Sequence, residues 1–392
     1  MKKTMWNKVK LSEIMTTANT GLDAIKRAPI VSHNTGIKCL RIQDVSQKKE
    51  YNDWGFTEVT NENYIRFCLK EGEIILARTG NTIGVNMFIN KNLKSVFNNG
   101  LIRLRVDKQK CNPKYLFYNM QSNEYWSHID SIAFGTSTQP NMQIESFLRY
   151  EIQLPDLPTQ TRIASILSAI DDKIELNRQM NHTLEQMAKA LFKKYFVDDM
   201  DPGNLPKGWR IGSLEEEFEI VMGQSPPGSS YNDYKNGIAF FQGRTDFEFR
   251  FPSLRIYTTD PKRYAKKYDT LLSVRAPVGD LNIANQDCCI GRGLAALRSK
   301  KSFQSYCYYQ LGDLKEDFEK YNGEGTVFGS INKDTLSSIA IVIPKNEVVE
   351  LFEKLVQPMD AKIFELSEEI ELLTQIRDLL LPKLMAGEIN VE

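Results

Sequence analysis

The fold of this chain is decided by residues 161–196, which read TRIASILSAIDDKIELNRQMNHTLEQMAKALFKKYF. Apolar side chains, interrupted by two asparagines, recur through this run at alternating steps of four and three residues. The positions are Ile163, Leu167, Ile170, Ile174, Asn177, Asn181, Leu184, Ala188, Leu191 and Tyr195. Such a repeat places its members along one side of an α-helix and is typical of a coiled-coil seam. The run therefore predicts one long helix that packs against a partner helix.

The partner helix is expected 189 residues further along the chain, where the same spacing returns. Its positions are Phe352, Val356, Met359, Ile363, Leu366, Ile370, Leu373, Arg377, Leu380 and Leu384. Asn177 and Asn181 align with Leu366 and Ile370, so the seam is asymmetric, as a register-fixing polar layer would be. We predict that the two helices form an antiparallel coiled coil. The alternative is two unrelated amphipathic helices, each packed on its own domain.

The rest of the chain is also written twice, in the same order. The matched segments are Trp6–Leu11 with Trp209–Leu214, Gly36 with Gly237, residues 72–78 with 268–274, Gly100–Arg105 with Gly293–Arg298, Gly135, Thr136 and Asn141 with Gly325, Thr326 and Asn332, and Ile152–Pro155 with Ile341–Pro344. Each half begins with short β-rich runs broken by turns and ends at a proline-marked boundary before its helix. The sequence therefore predicts an α+β protein with a pseudo-two-fold internal repeat. Its parts are a first domain at 1–157, a first helix at 158–198, a second domain at 199–345 and a second helix at 346–392.

Composition limits the class of protein. Hydrophobic residues make up 41% and charged residues 26%, as in a folded globular protein, and no run reaches the roughly 18 consecutive apolar residues of a membrane helix. The six cysteines lack zinc-ligand spacing and the start of the chain lacks an apolar signal core, so we expect reduced thiols and a cytoplasmic location.

Charge is unevenly distributed although the net charge is zero. Residues 1–157 carry 21 Lys and Arg against 15 Asp and Glu, whereas residues 345–392 carry 5 against 11. A basic front half and an acidic tail fit a protein that contacts phosphate locally and protein surfaces elsewhere. Ordinary surface variation would explain the same distribution.

The central run resembles the conserved central region of the specificity subunits of type I restriction–modification systems. The resemblance extends over residues 154–181 (LPDLPTQTRIASILSAIDDKIELNRQMN) and 183–198 (TLEQMAKALFKKYFVD). Residues 205–209 (LPKGW) resemble the entry to the family's second target recognition domain, and residues 381–388 (LPKLMAGE) resemble its distal conserved region. The family often has Glu-Gln before the helical Arg-Ile, where residues 159–161 are Thr-Gln-Thr. That departure concerns contacts to partner subunits rather than the fold.

The resemblance implies two target recognition domains, each of which reads one half of a split double-stranded DNA target. It also implies two methyltransferase subunits and translocating restriction subunits as partners, with the helices as their docking surface and as a ruler between the half-targets. From Ile163 to Tyr195 a helix rises about 48 Å at roughly 1.5 Å per residue, or about 14 base pairs at roughly 3.4 Å each. No membrane partner is expected.

Direct readout of bases needs side chains with paired donors or acceptors: arginine for guanine, and asparagine or glutamine for adenine. Loops that contain glycine and carry such side chains are the candidate contacts. They comprise Arg41, Gln43, Arg78, Thr79, Asn81, Thr138, Gln139 and Asn141 in the first half, and Gln242, Arg244, Arg275, Asn332 and Lys333 in the second. Alternatively, the glycines make tight turns, the Thr and Asn side chains satisfy backbone groups, and the arginines bind phosphate instead of bases.

The sequence shows no motif for catalysis or for a cofactor. It lacks a Gly-x-Gly-x-x-Gly fingerprint, a Walker loop and the Asn-Pro-Pro-aromatic run of adenine methyltransferases. We therefore expect a non-catalytic DNA-specificity subunit without cofactor or metal. The alternatives are a coiled-coil scaffold that bridges protein partners without reading DNA, and a self-contained restriction–methylation enzyme, against which the missing motifs count.

Overall fold

The structure, a computed structural model, describes residues 6–133, 141–198, 200–201, 203–322 and 329–391. The chain divides into two compact units, which consist of residues 1–175 with 371–392 and of residues 176–370. Each unit contains one β-rich body together with part of each long helix. All six cysteines are free, and no helix in the described ranges is long and apolar enough to cross a membrane.

The first unit contains two sheets and a separate strand pair. Its strands are β1 (Asn7–Lys10), β2 (Met15–Thr20), β3 (Ile30–Val31), β4 (Lys38–Leu40), β5 (Phe56–Thr57), β6 (Ile74–Ala77), β7 (Asn86–Phe88), β8 (Ser95–Phe97), β9 (Leu101–Val106) and β10 (Glu151–Leu154). Its helices are α1 (Leu11–Ile14), α2 (Ile42–Ser46), α3 (Asn61–Phe67), α4 (Pro113–Asn119), α5 (Asn123–Ala133), α6 (Ile144–Phe147) and the start of α7 (Leu157–Phe196). The sheets have the strand orders β2-β9-β6-β7 and β3-β5-β4-β8, and β1 pairs with β10.

Strand β6 shows why its sequence is apolar throughout. Ile74 and Leu76 lie in one hydrophobic core, whereas Ile75 and Ala77 lie in another. Because successive side chains of a strand point to opposite faces, a strand between two cores needs apolar residues at every position. The run Ile-Ile-Leu-Ala therefore joins the two cores of the first body.

The second unit repeats this architecture. Its strands are β11 (Arg210–Ser213), β12 (Phe218–Met222), β13 (Tyr231–Asn232), β14 (Ile238–Phe241), β15 (Tyr257–Thr258), β16 (Tyr264–Ala265), β17 (Thr270–Val274), β18 (Val278–Ile283), β19 (Cys288–Ile290), β20 (Leu294–Ser299) and β21 (Ala340–Ile343). Its helices are α8 (Leu214–Glu217), α9 (Gln304–Asp313), α10 (Lys315–Glu319), α11 (Lys333–Ser337) and the larger part of α12 (Asn346–Met385). The sheet orders are β12-β20-β17-β18 and β13-β15-β14-β19-β16, and β11 pairs with β21.

The two bodies share their strand connectivity except for one additional edge strand in the second, which confirms the predicted duplication. In both, the second sheet contains one parallel pair, β4 with β8 in the first body and β14 with β19 in the second. They differ at one edge, because β16 pairs with β19 in the second body whereas helix α3 packs against β8 in the first.

Helices α7 and α12 pack together along the predicted seam, and every seam position is buried or half-buried. In the second unit, the side-chain amide of Asn177 donates to Glu369 Oε2 (2.9 Å) and that of Asn181 donates to Ser367 Oγ (3.1 Å). The later residue of α7, Asn181, contacts the earlier residue of α12, Ser367. The two helices therefore run antiparallel, as predicted. Both asparagines are buried. Their partners Glu369 and Ser367 lie directly beside the seam positions Ile370 and Leu366.

In the second unit, a fully buried arginine joins the β-rich body to the helices. Arg250 is 1% exposed, and its Nη2 lies 2.5 Å from Asp360 Oδ1 on α12. Its Nη1 donates to the hydroxyl of Tyr309 (3.1 Å) and lies 3.8 Å from Glu185 on α7, while the guanidinium stacks 3.8 Å from the ring centre of Tyr308. Burial works to lower the pKa of Arg250, but the tyrosines and Asp360 outweigh it, so the pKa lies above its usual value and the side chain stays charged.

We call such a polar contact between a β-rich body and the long helices a joint. In the first unit, the corresponding joint is smaller and partly exposed. The hydroxyl of Tyr118 on α4 donates to Asp171 Oδ2 on α7 (2.8 Å). Arg377 on α12 places Nη1 3.0 Å from Asp171 Oδ1, with about a third of both side chains exposed. Burial, followed by the charge of Asp171, raises the pKa of Tyr118, so this hydroxyl remains a donor.

Candidate nucleic-acid interface

One edge of the first body collects most of the candidate segments. The parallel strands β4 and β8 both end there, at Leu40 and Phe97. Strand β6 ends at the same edge, at Ala77, where its neighbour β9 begins at Leu101. The connecting segments 21–28, 41–46, 78–84 and 98–100 therefore emerge together, and we call them the first loop edge.

The turn 98–100 lies at the centre of the first loop edge. The amide of Asn99 donates to the carbonyl of Leu22 (2.7 Å), and the carbonyl of Gly100 accepts from the amide of Arg78 (3.0 Å). The turn thus connects segment 21–28 to segment 78–84 through backbone hydrogen bonds.

Four of the predicted contacts meet at this edge beside the turn. Arg78 donates from Nε (3.2 Å) and Nη2 (3.0 Å) to Oδ1 of Asn141, and Asn141 forms a backbone bridge with Thr79. Arg41, which follows β4, donates from Nε to the buried carboxylate of Asp44 (3.2 Å). These bonds fix the orientation of both arginines and leave further guanidinium N–H groups for a ligand.

The other candidates of the first half are less constrained or lie beyond the described residues. Gln43 in α2 and Asn81 in the segment 78–84 are exposed. Thr138 and Gln139 fall within residues 134–140, outside the described ranges, as do the repeat matches at 135–136 and 325–326.

Segment 21–28 adds an exposed basic turn to the first loop edge. Oδ1 of Asp23 accepts from the amides of Lys26 (2.7 Å) and Ile25 (3.1 Å), and these two hydrogen bonds lower the pKa of Asp23. The turn exposes Lys26, Arg27 and Ile25, the last of them 84% exposed. Such a turn suits contact with phosphate, since lysine and arginine supply most of the charge that binds a nucleic-acid backbone.

The second body has an equivalent edge. The parallel strands β14 and β19 end at Phe241 and Ile290, and β17 ends at Val274 beside the start of β20. The segments 223–230, 242–246, 275–277 and 291–293 emerge there, and we call them the second loop edge.

Three of the second-half candidates lie at this edge with exposed side chains. The carbonyl of Gln242 accepts from the amide of Gly293 (3.2 Å), while its side chain is exposed. Arg275 is also exposed and forms a backbone bridge with Ser330. Arg244 is partly neutralised, because its Nε lies 2.9 Å from Asp280 Oδ2.

The remaining second-half candidates belong to a helix start. Oδ1 of Asn332 accepts from the amide of Thr335 (2.9 Å), so Asn332 caps α11, and Lys333 is the first residue of that helix. The repeat match of Asn141 with Asn332 is also corrected, since Ser330 opposes Arg275 as Asn141 opposes Thr79. The sequence match followed a shared asparagine, whereas the backbone register places the equivalent position two residues earlier.

The central turns themselves are not indicated by the candidate residues that the sequence predicts. In the second body, Arg292 is exposed between two glycines, and its amide donates to Ser225 Oγ (3.2 Å). The sequence does contain a signal for these turns, because a polar residue, Asn99 or Arg292, directly precedes each of the matched glycines, Gly100 and Gly293.

A metal centre is not formed by the part of the chain that the structure describes. No group of three or more His, Cys, Asp or Glu residues lies in a metal-binding arrangement within the described ranges. The buried thiols of Cys39, Cys111, Cys288 and Cys307 have their pKa raised by burial, which makes them poor metal ligands and nucleophiles.

The comparisons with known proteins agree with the duplicated architecture. A family model described as type I restriction modification DNA specificity domain matches residues 3–186 and 206–381. A protein of Methanocaldococcus jannaschii provisionally named type I restriction enzyme MjaX specificity subunit is 31% identical, over 99% of this chain and 94% of its own. The type I restriction enzyme HindI specificity subunit of Haemophilus influenzae is 24% identical, over 98% and 99%. The crystal structure of a type I restriction–modification system S subunit from M. genitalium has the same fold, with a TM-score of 0.69 at 18% identity over 98% of this chain and 97% of that one.

Proposed function

The chain belongs to the type I restriction–modification DNA specificity family, and from that premise we propose that its two loop edges read the two halves of a split double-stranded DNA target. The observation that carries the proposal is the duplicated edge. In both bodies the parallel pair of the second sheet and a strand of the first sheet end together, and the loops that follow present arginine and amide side chains. These are the side-chain types that read base edges in the major groove.

The side chains at the loop edges divide into two proposed roles. Lys26 and Arg27 on their exposed turn would contact phosphate, and the same role suits Arg244, which already faces Asp280. Arg78 is held by Asn141 through two hydrogen bonds. A guanidinium with a fixed orientation is pre-organised for a bidentate contact with one base, whereas a contact with phosphate does not need a fixed orientation.

The long helices are proposed to set the separation of the half-targets. Helix α7 has 40 residues, which is about 60 Å at roughly 1.5 Å per residue. In this proposal residues 1–157 and 199–345 form the target recognition domains, and residues 158–198 and 346–392 form the ruler. Insertion of four residues after Glu175 adds roughly 6 Å and about one helical turn, so the spacer between unchanged half-targets should lengthen by about two base pairs. An unchanged spacer with activity retained would assign the separation to loops or partners instead.

The helices are also proposed to dock two copies of a methyltransferase subunit, which restriction subunits would join. Exposed apolar side chains occupy positions of α7 and α12 that are equivalent under the 189-residue repeat: Ile166 with Leu355, and Met187 with Ile376. Contiguous exposed apolar patches mark sites for protein contact, and we propose that these positions contribute to such a patch on each helix. Because the positions are duplicated, two copies of the same partner fit better than one.

The test is selection of DNA by the full-length chain from a pool of duplexes with a randomised central segment. We expect enrichment of a motif with two specified halves and an unspecified spacer. We also expect the affinity to fall steeply as the salt concentration rises, because phosphate contacts release counterions. Binding without any enriched motif would contradict the proposal and favour the scaffold alternative. The chain alone should neither methylate nor cleave the selected duplex, and stoichiometric methyl transfer without a partner would contradict the non-catalytic assignment.

A further inference from the structure

The central turns of the two loop edges, residues 98–100 and 291–293, make corresponding backbone hydrogen bonds at both ends. The amide of Gly291 donates to Phe241 (2.8 Å), as that of Asn98 does to Leu40 (3.1 Å). At the other end, the carbonyls of Gly293 and Gly100 accept from the amides of Val274 (2.9 Å) and Arg78 (3.0 Å), respectively. The residue between these two ends is Arg292 in one turn and Asn99 in the other.

The second turn is packed so closely that only its middle residue can carry a side chain. A Cβ atom at Gly293 would lie 2.7 Å from the carbonyl oxygen of Gln242, and one at Gly291 would lie 2.9 Å from the Cα atom of Gln242. Both distances are shorter than van der Waals contact, so a larger residue would displace segment 242–246. The turn therefore holds Arg292 on a rigid backbone at the centre of the edge.

Arg292 and Asn99 are exposed, and within the described residues no side-chain hydrogen bond or ion pair engages either of them. Arg41 and Arg244 differ in this respect, because their guanidinium groups already face the carboxylates of Asp44 and Asp280. A free polar side chain on a fixed backbone can keep its full hydrogen-bonding capacity for a ligand.

We propose that this turn reads one base pair in each half-target, with Arg292 selecting guanine in the second half and Asn99 selecting adenine at the equivalent place in the first. The inference rests on the proposed function. An arginine fork matches the O6 and N7 acceptors of guanine, and a side-chain amide matches N7 and N6 of adenine. Contact with phosphate would favour a cation in both turns, but Asn99 is neutral. The change of residue type at one fixed backbone position is what a difference in target sequence requires.

The experiment selects duplexes from the randomised pool with the full-length parent chain, Arg292→Asn, Arg292→Lys and Asn99→Arg. Arg292→Asn should weaken the preference for guanine at one position of the second half-target by about tenfold or more, with adenine gaining there. Arg292→Lys keeps the charge but loses the fork, and should also relax that position. Asn99→Arg should change one position of the first half-target and leave the second half unchanged.

The control variant is Arg210→Ala, which removes the same charge from the same unit. Arg210 lies on β11 and pairs with the exposed Glu216, so this variant should select the parent motif. Melting temperatures equal to that of the parent exclude unfolding as a cause of altered selection by the Arg292 and Asn99 variants.

The possible outcomes separate this inference from the proposed function. If the parent enriches a split motif and the Arg292 variants keep every position of it, the base-reading role is overturned while the proposed function stands. A uniform loss of affinity for all sequences, with a shallower salt dependence, would identify a phosphate contact and also overturn it. If the parent enriches no motif, the proposed function fails and this inference fails with it.

Discussion

The joints between body and helix differ in the two units although their tyrosines and aspartates are equivalent. Tyr118 donates to Asp171 in the first unit (2.8 Å), and Tyr309 donates to Asp360 in the second (3.0 Å). The positive charge that faces the aspartate comes from α12 in the first unit, as Arg377, but from a loop of the body in the second, as Arg250.

The two units therefore differ in which element supplies the charge that attaches the body to the helices. In the first unit, the ion pair lies entirely on the helices, and the body contributes one hydroxyl group. In the second unit, the body contributes a buried cation, Arg250, whose removal would take from Asp360 the guanidinium that lies 2.5 Å away, whereas Glu185 would keep its pair with Lys189 (2.8 Å). We therefore expect the first body to be the more easily exchanged module.

The largest effect is expected from replacing the second body. A chimera in which residues 210–343 come from a donor without counterparts of Arg250 and Tyr309 should fail to fold around α7 and α12, because the largely buried Asp360 would lose its cation, and removing one partner of a buried ion pair is strongly unfavourable. Replacement of residues 1–150 should give a folded chain that changes only one half of the selected motif.

The chimeras can be compared by their soluble yield and melting temperature, and then by DNA selection. Restoring the arginine and tyrosine in the second-body donor should recover folding. Equal tolerance of both replacements would contradict the importance that we assign to Arg250.

A single substitution, Arg250→Ala, should have the next largest effect. Loss of one partner of a buried ion pair costs about 3–5 kcal/mol, so hydrogen exchange in α9 and in the second body should accelerate strongly while the first unit keeps its protection. Arg210→Ala, which breaks a pair with the exposed Glu216, should change the free energy of unfolding far less, because solvent screens an exposed ion pair. Similar exchange in the two variants would show that the buried joint does not hold the second body in place.

The helices could be predicted from the sequence because their signal is local and repeated. Ile163 and Phe352 begin two seams with the same spacing, and a 4-3 period has few structural meanings. The duplication could also be predicted from the sequence, because loop deletions change the spacing between matched segments but leave their order along the chain unchanged. The joint could not be found, because Arg250 lies 110 residues from Asp360 and nothing in its neighbouring sequence indicates burial.

The loop edges were only partly predictable for a similar reason. Arg41 and Arg78 were chosen by residue type, but that their segments meet depends on the pairing of strands that are distant in the chain. Arg292 was missed because its exposure depends on two glycines that pack on Gln242. The match of Asn332 with Asn141 was wrong, because the backbone register pairs Ser330 with Arg275 where Asn141 pairs with Thr79, and the role of Asn332 as a DNA contact stays a prediction.

The two tyrosines give a direct comparison of the joints. Tyr118→Phe removes one hydrogen bond to a half-exposed carboxylate, and we expect a loss of about 1 kcal/mol from the free energy of unfolding of the first unit. Tyr309→Phe should cost more in the second unit, because its hydroxyl contacts both Arg250 and Asp360 in a buried site. Denaturant unfolding followed by hydrogen exchange in each unit measures both values, and a larger loss for Tyr118→Phe would reverse our ranking of the joints.

The smallest effect, and the one that separates the joints by mechanism, is expected from Arg377→Ala. About a third of the side chains of Arg377 and Asp171 is exposed, so solvent screens their attraction and the loss should be about 0.5–1 kcal/mol. In roughly 1 M salt the Debye length falls to about 3 Å, and the difference between Arg377→Ala and the parent should then nearly vanish. The cost of Arg250→Ala should persist in the same salt, because ions do not reach a site that is 1% exposed. If both costs disappeared together, the joint of the second unit would be open to solvent, and the proposed difference in exchangeability of the two bodies would lose its physical basis.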